Sequence, residues 1–320
     1  MQSVLRTICA SRPAALGIVG AVAAGLLVSG CGSSRIGVAA FVDGTEISQD
    51  QVHQQLVNVL DKEGPQARAE LVAAHQLDDV TRKIVTLRIR HQLLDIAVRR
   101  AGVTVDQAQV NRLIKEVGGA QAASKGTIYD ANTYRERATD KLLMVALGRS
   151  ALRNSAVTVD YTTADTRTAA KRRVDELSQA GSKRARQLID ADVRAGRDAE
   201  LEKRIVAADD PVFATTPAFG VAENTVVAFQ LEDTKPWVIM VVKNRADRGV
   251  QPSDHAPPMD QIDPAILEAI GLRQLARVAD EVGVRLNPRY GMWDPVTLQV
   301  VSDENETGGF EAPLRAVPLT

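Results

Sequence analysis

Residues 77–100, LDDVTRKIVTLRIRHQLLDIAVRR, carry the pattern that decides the fold. Val80, Ile84, Leu87, His91, Leu94 and Val98 recur at alternating four- and three-residue steps, so they line one face of a long helix. Val85, Ile89, Leu93 and Ile96 form a second stripe beside the first. An apolar surface this wide belongs to a helix packed against several neighbours. Gly102 ends it. Upstream, Val38 to Val42 is an apolar β-type run closed by the turn signal Asp43-Gly44 before Ile47. Ser48, with Gln51 three residues on, reads as a capping box opening a helix. Downstream, Val103 to Val117 predicts another helix, with Thr104 as its cap and Val110, Leu113, Ile114 and Val117 inward, until Gly118-Gly119 breaks it. A further helix is expected from about Asn132 to Leu152.

The stretch from Val157 to Arg245 opens with Val157-Thr158-Val159, continues as charged helical sequence to about Ala208, and closes with two β-like runs. Those runs are Val226 to Phe229 and Trp237 to Val242, with a polar turn between them. Residues 246–263 carry Pro252, Pro257 and Pro258 and read as a linker. Pro264 then opens a helix to about Val282, Val284 to Leu286 forms a strand, and residues 302–320 are acidic enough to predict a disordered tail.

At the N-terminus, Arg6 and Arg12 precede or flank an uncharged stretch, Pro13 to Leu27, that has the layout of a secretory signal. Interrupted by Gly17, Gly20 and Gly25, it falls short of the roughly 20 apolar residues a spanning helix needs. Val28, Ser29, Gly30 and Cys31 follow and resemble the bacterial lipobox, which implies cleavage before Cys31 and lipid attachment to its thiol. Only Gly32 to Arg35 would then tether the fold, a span of at most about 14–20 Å. The other cysteine, Cys9, lies within the signal, so the mature chain has no thiol for a disulfide, a metal or a nucleophile. With 45% apolar and 25% charged residues it has the composition of a chain that buries a core. A formal charge of −1 provides no global field for nucleic acid.

No catalytic constellation stands out. His53, His75, His91 and His255 lack metal-ligand spacing, there is no nucleophile elbow or phosphate-cradling loop, and neither cofactor nor metal is expected. His91 reads as a core or half-buried histidine satisfied by a hydrogen bond. The basic residues Lys171, Arg172, Arg173, Lys183, Arg184 and Arg186 read as a solvated helix face, with lipid headgroups as the alternative contact. Leu87, Leu94 and Val98 are candidates for lining a binding groove, with hydrophobic core as the competing reading. Tyr290 and Trp293 are either exposed contacts or anchors of the C-terminal segment.

The segment VAAFVDGTEISQDQV, residues 38–52, resembles the opening of the SurA-type extracytoplasmic chaperones and the PrsA-type foldase lipoproteins. Asp43 stands where that pattern usually has Asn, a change the turn tolerates. Residues 102–110, GVTVDQAQV, resemble the family's second motif, and residues 284–293, VRLNPRYGMW, resemble the segment after its returning helix. The resemblance implies a mainly α fold with small β elements (α+β), in which both chain ends build a helical chaperone core around a parvulin-type insert. It divides the chain into a signal peptide (1–30), lipidated tether (31–35), N-terminal chaperone domain (36–155), parvulin-like region (156–245), linker (246–263), core-completing helix and strand (264–301) and tail (302–320).

In the middle region the parvulin opening motif His-Ile-Leu is replaced by Val157-Thr-Val-Asp-Tyr161, the Gly-Gly-Asp-Leu-Gly loop is absent, and there is no histidine or cysteine. A degenerate, non-catalytic domain is therefore expected. The function implied is a membrane-anchored holdase on the outer face of the cytoplasmic membrane, binding unfolded exported polypeptides and no nucleic acid. The alternatives are an envelope scaffold lipoprotein with one dedicated partner, or an active prolyl isomerase. A solute-binding lipoprotein would need two lobes of alternating strands and helices, a pattern the chain lacks. The chaperone-core reading requires the helix from Pro264 to pack on the helix of residues 77–100.

Overall fold

A computed structural model describes residues 37–232 and 234–316. Cys31 and the lipobox residues Val28, Ser29 and Gly30 lie outside them. The described chain begins with a hairpin, β1 (Val38–Val42) and β2 (Thr45–Ser48), turned at Asp43 and Gly44, both at positive φ as a tight primed turn requires. Ser48 caps α1 (Gln49–Ala73) through the expected capping box with Gln51. Gly64, at φ 88°, breaks α1 into two pieces, and Pro65 restarts it.

Next come α2 (Leu77–Ala101), α3 (Gln107–Glu116), the short α4 (Ala120–Ser124) and α5 (Ala131–Asn154). Gly102 terminates α2 in the left-handed conformation, as its sequence predicts. The cap of α3 is Asp106 and not Thr104, because the Asp106 carboxylate reaches the Ala108 amide.

The middle of the chain holds β3 (Ala156–Ala164), α6 (Arg167–Arg194), β4 (Ala199–Val206), β5 (Thr225–Gln230) and β6 (Trp237–Ala246). The continuous helix expected to about Ala208 is corrected here. It ends at Arg194, Gly196 turns the chain at φ 71°, and residues 199–206 alternate between half-buried and exposed positions as an edge strand. Residues 247–263 run without a long helix or strand, yet they are pinned. Val250 is buried beside Ala156 and Val206, and the Ser253 amide donates to Asp209.

The last elements are α7 (Pro264–Val282), β7 (Val284–Leu286), β8 (Met292–Asp294), β9 (Gln299–Val301) and β10 (Gly309–Pro313). β7 pairs with β1, so the chain ends meet in the small sheet β2-β1-β7. β10 overturns the expected disordered tail by adding itself antiparallel to β5, which makes the order of the large sheet β10-β5-β6-β3-β4. Phe310, Ala312 and Leu314 alternate into the core beneath the sheet, and Arg167 spreads over the rings of Trp237 and Phe310. That burial outweighs the acidity of residues 303–306, where Asp303 caps a short 3₁₀ turn.

Among the described residues, three large apolar clusters make up most of the core. In the first, Ile84, Ile89, Leu93 and Leu94 of α2 pack with Leu275 and Val278 of α7 and with β1. The helix from Pro264 thus packs on α2, as the chaperone-core reading requires, and an Arg100–Glu281 ion pair at 2.5 Å ties their ends. The second cluster joins one face of the large sheet to α5, α7 and the 3₁₀ turns around Phe213 and Phe219. The third joins the opposite face to α6. The architecture is mainly α with small β elements, an α+β fold.

Candidate functional site

Two depressions form where α2, α5 and α7 meet. The larger, about 770 Å³, lies toward the C-terminal parts of these helices. Its floor includes Ala97, Leu147, Ala151 and Val278, and the Arg100–Glu281 and Arg277–Asp247 ion pairs stand at its rim. The smaller, about 360 Å³, lies toward their N-terminal parts and has the more apolar wall, formed by Leu87, Met144, Ala265, Ala269 and Leu272. Arg90, Arg137 and Tyr129 bring polar hydrogens to the same cavity. This combination of an apolar wall with a few convergent polar groups is typical of ligand pockets, which span about 300–1,000 Å³.

Distant parts of the chain fix each polar group. The loop carrying Tyr129 is held by Lys62 of α1, whose ammonium donates to the carbonyls of Ser124, Thr127 and Tyr129 at 2.6–2.7 Å. Gln55 donates to the next carbonyl in that loop, of Ile128, at 3.2 Å. Arg90 donates from Nε to the Leu298 carbonyl at 2.8 Å and from Nη2 to the Thr297 carbonyl at 3.0 Å. Arg273 of α7 donates to the Val296 carbonyl at 2.7 Å, and its buried Nε has no partner. The turn between β8 and β9 is therefore gripped by two buried guanidiniums.

Burial, and then their mutual repulsion in the case of Arg90, lowers both arginines to about 10. Arg137, which burial alone would lower, is held above the usual guanidinium value by Glu268 at 2.6 Å. Burial raises the Tyr129 phenol. On the neighbouring surface, His91 faces Asp140 at 3.0 Å and is raised to about 9, chiefly by that hydrogen bond and against the effect of burial. It is a half-buried, hydrogen-bonded histidine, as its sequence context predicts.

Among the described residues, His91, Glu136 and Asp140 are the one cluster whose atoms are spaced to hold a metal ion. Arg88 already lies 3.2 Å from Glu136, and cationic His91 occupies Asp140, so the cluster's charge is met from within the protein.

The candidate groove stripe divides. Leu94 and Val98 are core residues, fully and 91% buried, and so line no groove. Leu87 is half-buried and forms part of the smaller pocket. Tyr290 is buried and Trp293 packs against the main core, so both anchor the C-terminal segment. Most of the basic residues of α6 lie on its exposed face, but Arg173 turns inward to the buried Asp192 at 2.5 Å. Sequence reading missed Arg90, Tyr129, Arg137, Met144 and Glu268. The available signal was Arg90 itself, a cation set three residues after Leu87 within an apolar stripe.

A mainly helical α+β protein whose core is closed by a helix and a strand from the far end of the chain is what these elements define. More particularly, residues 1–140 match the family model of the SurA-like N-terminal domain. No curated protein matches the chain.

Proposed function

We propose that this protein is a membrane-anchored extracytoplasmic holdase, lipidated at Cys31, that shields segments of newly exported polypeptides at the outer face of the cytoplasmic membrane. The observation that carries the reading is the apolar pocket lying at the joint of the SurA-like domain with the returning helix α7. The exposed large apolar residues Val72, Val117, Val193, Val212 and Leu231 belong to five different elements and loops. Client contact then falls to the concave sites, which suits weak binding of short extended segments. Suppression of aggregation of an unfolded secreted protein is the test, and no effect at stoichiometric excess refutes it.

The region from β3 to β6 is a divergent, non-catalytic parvulin-like unit in this reading. Its succession of strand, long helix, strand and two closing strands in one antiparallel sheet supports the first part. Lowering the roughly 18–20 kcal/mol barrier of prolyl isomerisation takes a shaped pocket beside the imide. Here α6 covers one face of the sheet, α5, α7 and the turn at Phe219 cover the other, and the depression of about 560 Å³ beside the end of β3 is lined mainly by charged residues, among them Arg172, Arg173, Glu176 and Asp198. A protease-coupled assay with a proline peptide should show no turnover above background. If pull-down instead returns one stable complex in place of many exported clients, the protein is a scaffold for a dedicated partner.

A further inference from the structure

The charges around the smaller pocket do not balance one another, and the imbalance says what the pocket takes. Each of its three carboxylates is matched. Glu136 faces Arg88 at 3.2 Å, Asp140 faces His91 at 3.0 Å, and Glu268 faces Arg137 at 2.6 Å with Lys141 at 4.0 Å. Arg90 is not matched. Its two hydrogen bonds end on neutral carbonyls, no ion pair reaches it among the described residues, and Nη1 remains on a side chain that lines the cavity. Arg273, close enough to repel it, is equally without a carboxylate in salt-bridge distance among the described residues. An unmatched, largely desolvated positive charge on the wall of an apolar cavity, with a second one near it outside the lining, is complementary to an anion attached to an apolar group.

We infer that this pocket binds the C-terminal residue of a polypeptide ending in an apolar side chain, with its α-carboxylate on Arg90 and Tyr129 and its side chain against Leu87, Met144 and Leu272. The inference rests on the client-binding reading above and narrows it to a particular class of segment. A cavity of about 360 Å³ suits a terminal residue better than a long acyl chain. A chain terminus also supplies a carboxylate at little ordering cost to the binder, since the protein's donors are already fixed by the β8–β9 turn and the Lys62 clamp.

The test is fluorescence anisotropy on the full chain in detergent, with a labelled Gly-Ser-Gly-Ser-Ala-Leu peptide as the free acid and as the C-terminal amide. The free acid should bind at least tenfold more tightly. Ala265→Trp, at an exposed position in the first turn of α7, fills the pocket mouth and should abolish that preference while leaving the circular dichroism spectrum unchanged. Arg90→Met should do the same where it folds. Equal affinity for acid and amide, or a preference that survives Ala265→Trp, overturns the inference. Dodecanoate displacing the probe at lower concentration than the unlabelled peptide acid assigns the pocket to lipid and equally overturns it. If aggregation suppression persists while the acid preference is absent, the pocket assignment fails alone. If both are absent, the holdase reading fails with it.

Discussion

The helical core and the five-stranded sheet region solve the same packing problem with different materials. In the core, α5 and α7 cross so closely that backbone meets backbone. A Cβ on Gly148 would lie 1.8 Å from the Leu267 carbonyl oxygen, and one on Gly271 would lie 2.0 Å from that of Met144. Apart from the two guanidiniums that hold the β8–β9 turn, its charged groups mostly stay at the margins, where they bridge elements far apart in sequence, as Arg137 and Glu268 do. The sheet region instead places carboxylates inside. Asp160 is 2% exposed and Asp192 is 6% exposed, each surrounded by donors. The core is thus sensitive to volume at its crossing, and the sheet region to charge in its interior.

The widest break in that contrast comes from volume. Gly148→Ala or Gly271→Ala drives a methyl group into a carbonyl of the facing helix, and backbone cannot rotate away as a flexible side chain does. Overpacking commonly costs about 1–3 kcal/mol, and a clash of this depth should exceed about 4 kcal/mol or separate α7 from the core altogether. Urea unfolding of each variant measures it. A loss under about 1 kcal/mol would mean that the helices do not meet where the crossing puts them.

Charge should dominate in the sheet region. Asp192 accepts from Thr162 at 2.9 Å, from Arg173 at 2.5 Å and from Arg197 at 2.9 Å, so it joins the parts of α6 on either side of its break at Gly181 (φ 68°) to β3. Asp192→Ala leaves the inward-facing Arg173 with only the more exposed Glu176, at 2.6 Å, as its carboxylate, strands the Thr162 hydroxyl, and should cost about 2 kcal/mol. Arg197, largely exposed, turns to water and adds little. A large-to-small change with no buried charge at all, Val174→Ala on the same helix, gives the reference for lost packing alone.

Glu311 of β10 sharpens the point by acting in the opposite direction. Burial, with Asp280 and Asp294 nearby, pushes its carboxyl up to about 7. Because the folded value lies above the unfolded one, near 4.5, the folded state holds the proton more tightly. Its contribution is complete below pH 4.5 and is lost as pH rises through 7. Glu311→Gln should therefore stabilise the protein by about 2 kcal/mol at pH 8 and leave it unchanged near pH 4.5. Chemical unfolding at the two pH values distinguishes this from a pH-independent packing gain.

The same contrast explains what was legible in the sequence. α2 was readable because the apolar positions from Val80 to Val98 obey one helical period, and the start of α1 at Ser48 and the end of α2 at Gly102 carry their own local chemistry. β4 and β10 were not. β4 spends its exposed positions on Glu200, Glu202 and Arg204 as edge strands do, so its alternation is diluted by charge. β10 is five residues long, ends in Pro313 and follows an acidic turn, and its apolar positions acquire meaning only from α6 and β5. The pocket was legible in part. Leu87 lay in the stripe, whereas the Arg137–Glu268 pair spans 131 residues and the Arg90 contact with Leu298 spans 208. Periodicity reports which face of an element is buried and says nothing about which distant element covers it.

The smallest expected effect lies at the boundary between the two behaviours, where a core helix carries a half-buried charge. His91 on α2 faces Asp140 on α5 at 3.0 Å, with Asp95 at 3.9 Å from its other nitrogen. The Asp140 hydrogen bond, opposed by burial and helped by the charges of Asp140, Glu136 and Asp95, raises the imidazole to about 9. Its contribution is then complete below about pH 6.5 and is lost as pH rises through 9, the direction opposite to acid unfolding. Partial exposure lets solvent screen the pair, so His91→Gln should cost about 1 kcal/mol at pH 6 and almost nothing at pH 10. Asp140→Asn should produce the same pH dependence, and the double variant should cost no more than either alone. A cost for His91→Gln that is equal at pH 6 and pH 10 would assign this residue to packing, and the margin of the helical core would then obey the same volume rule as its crossing.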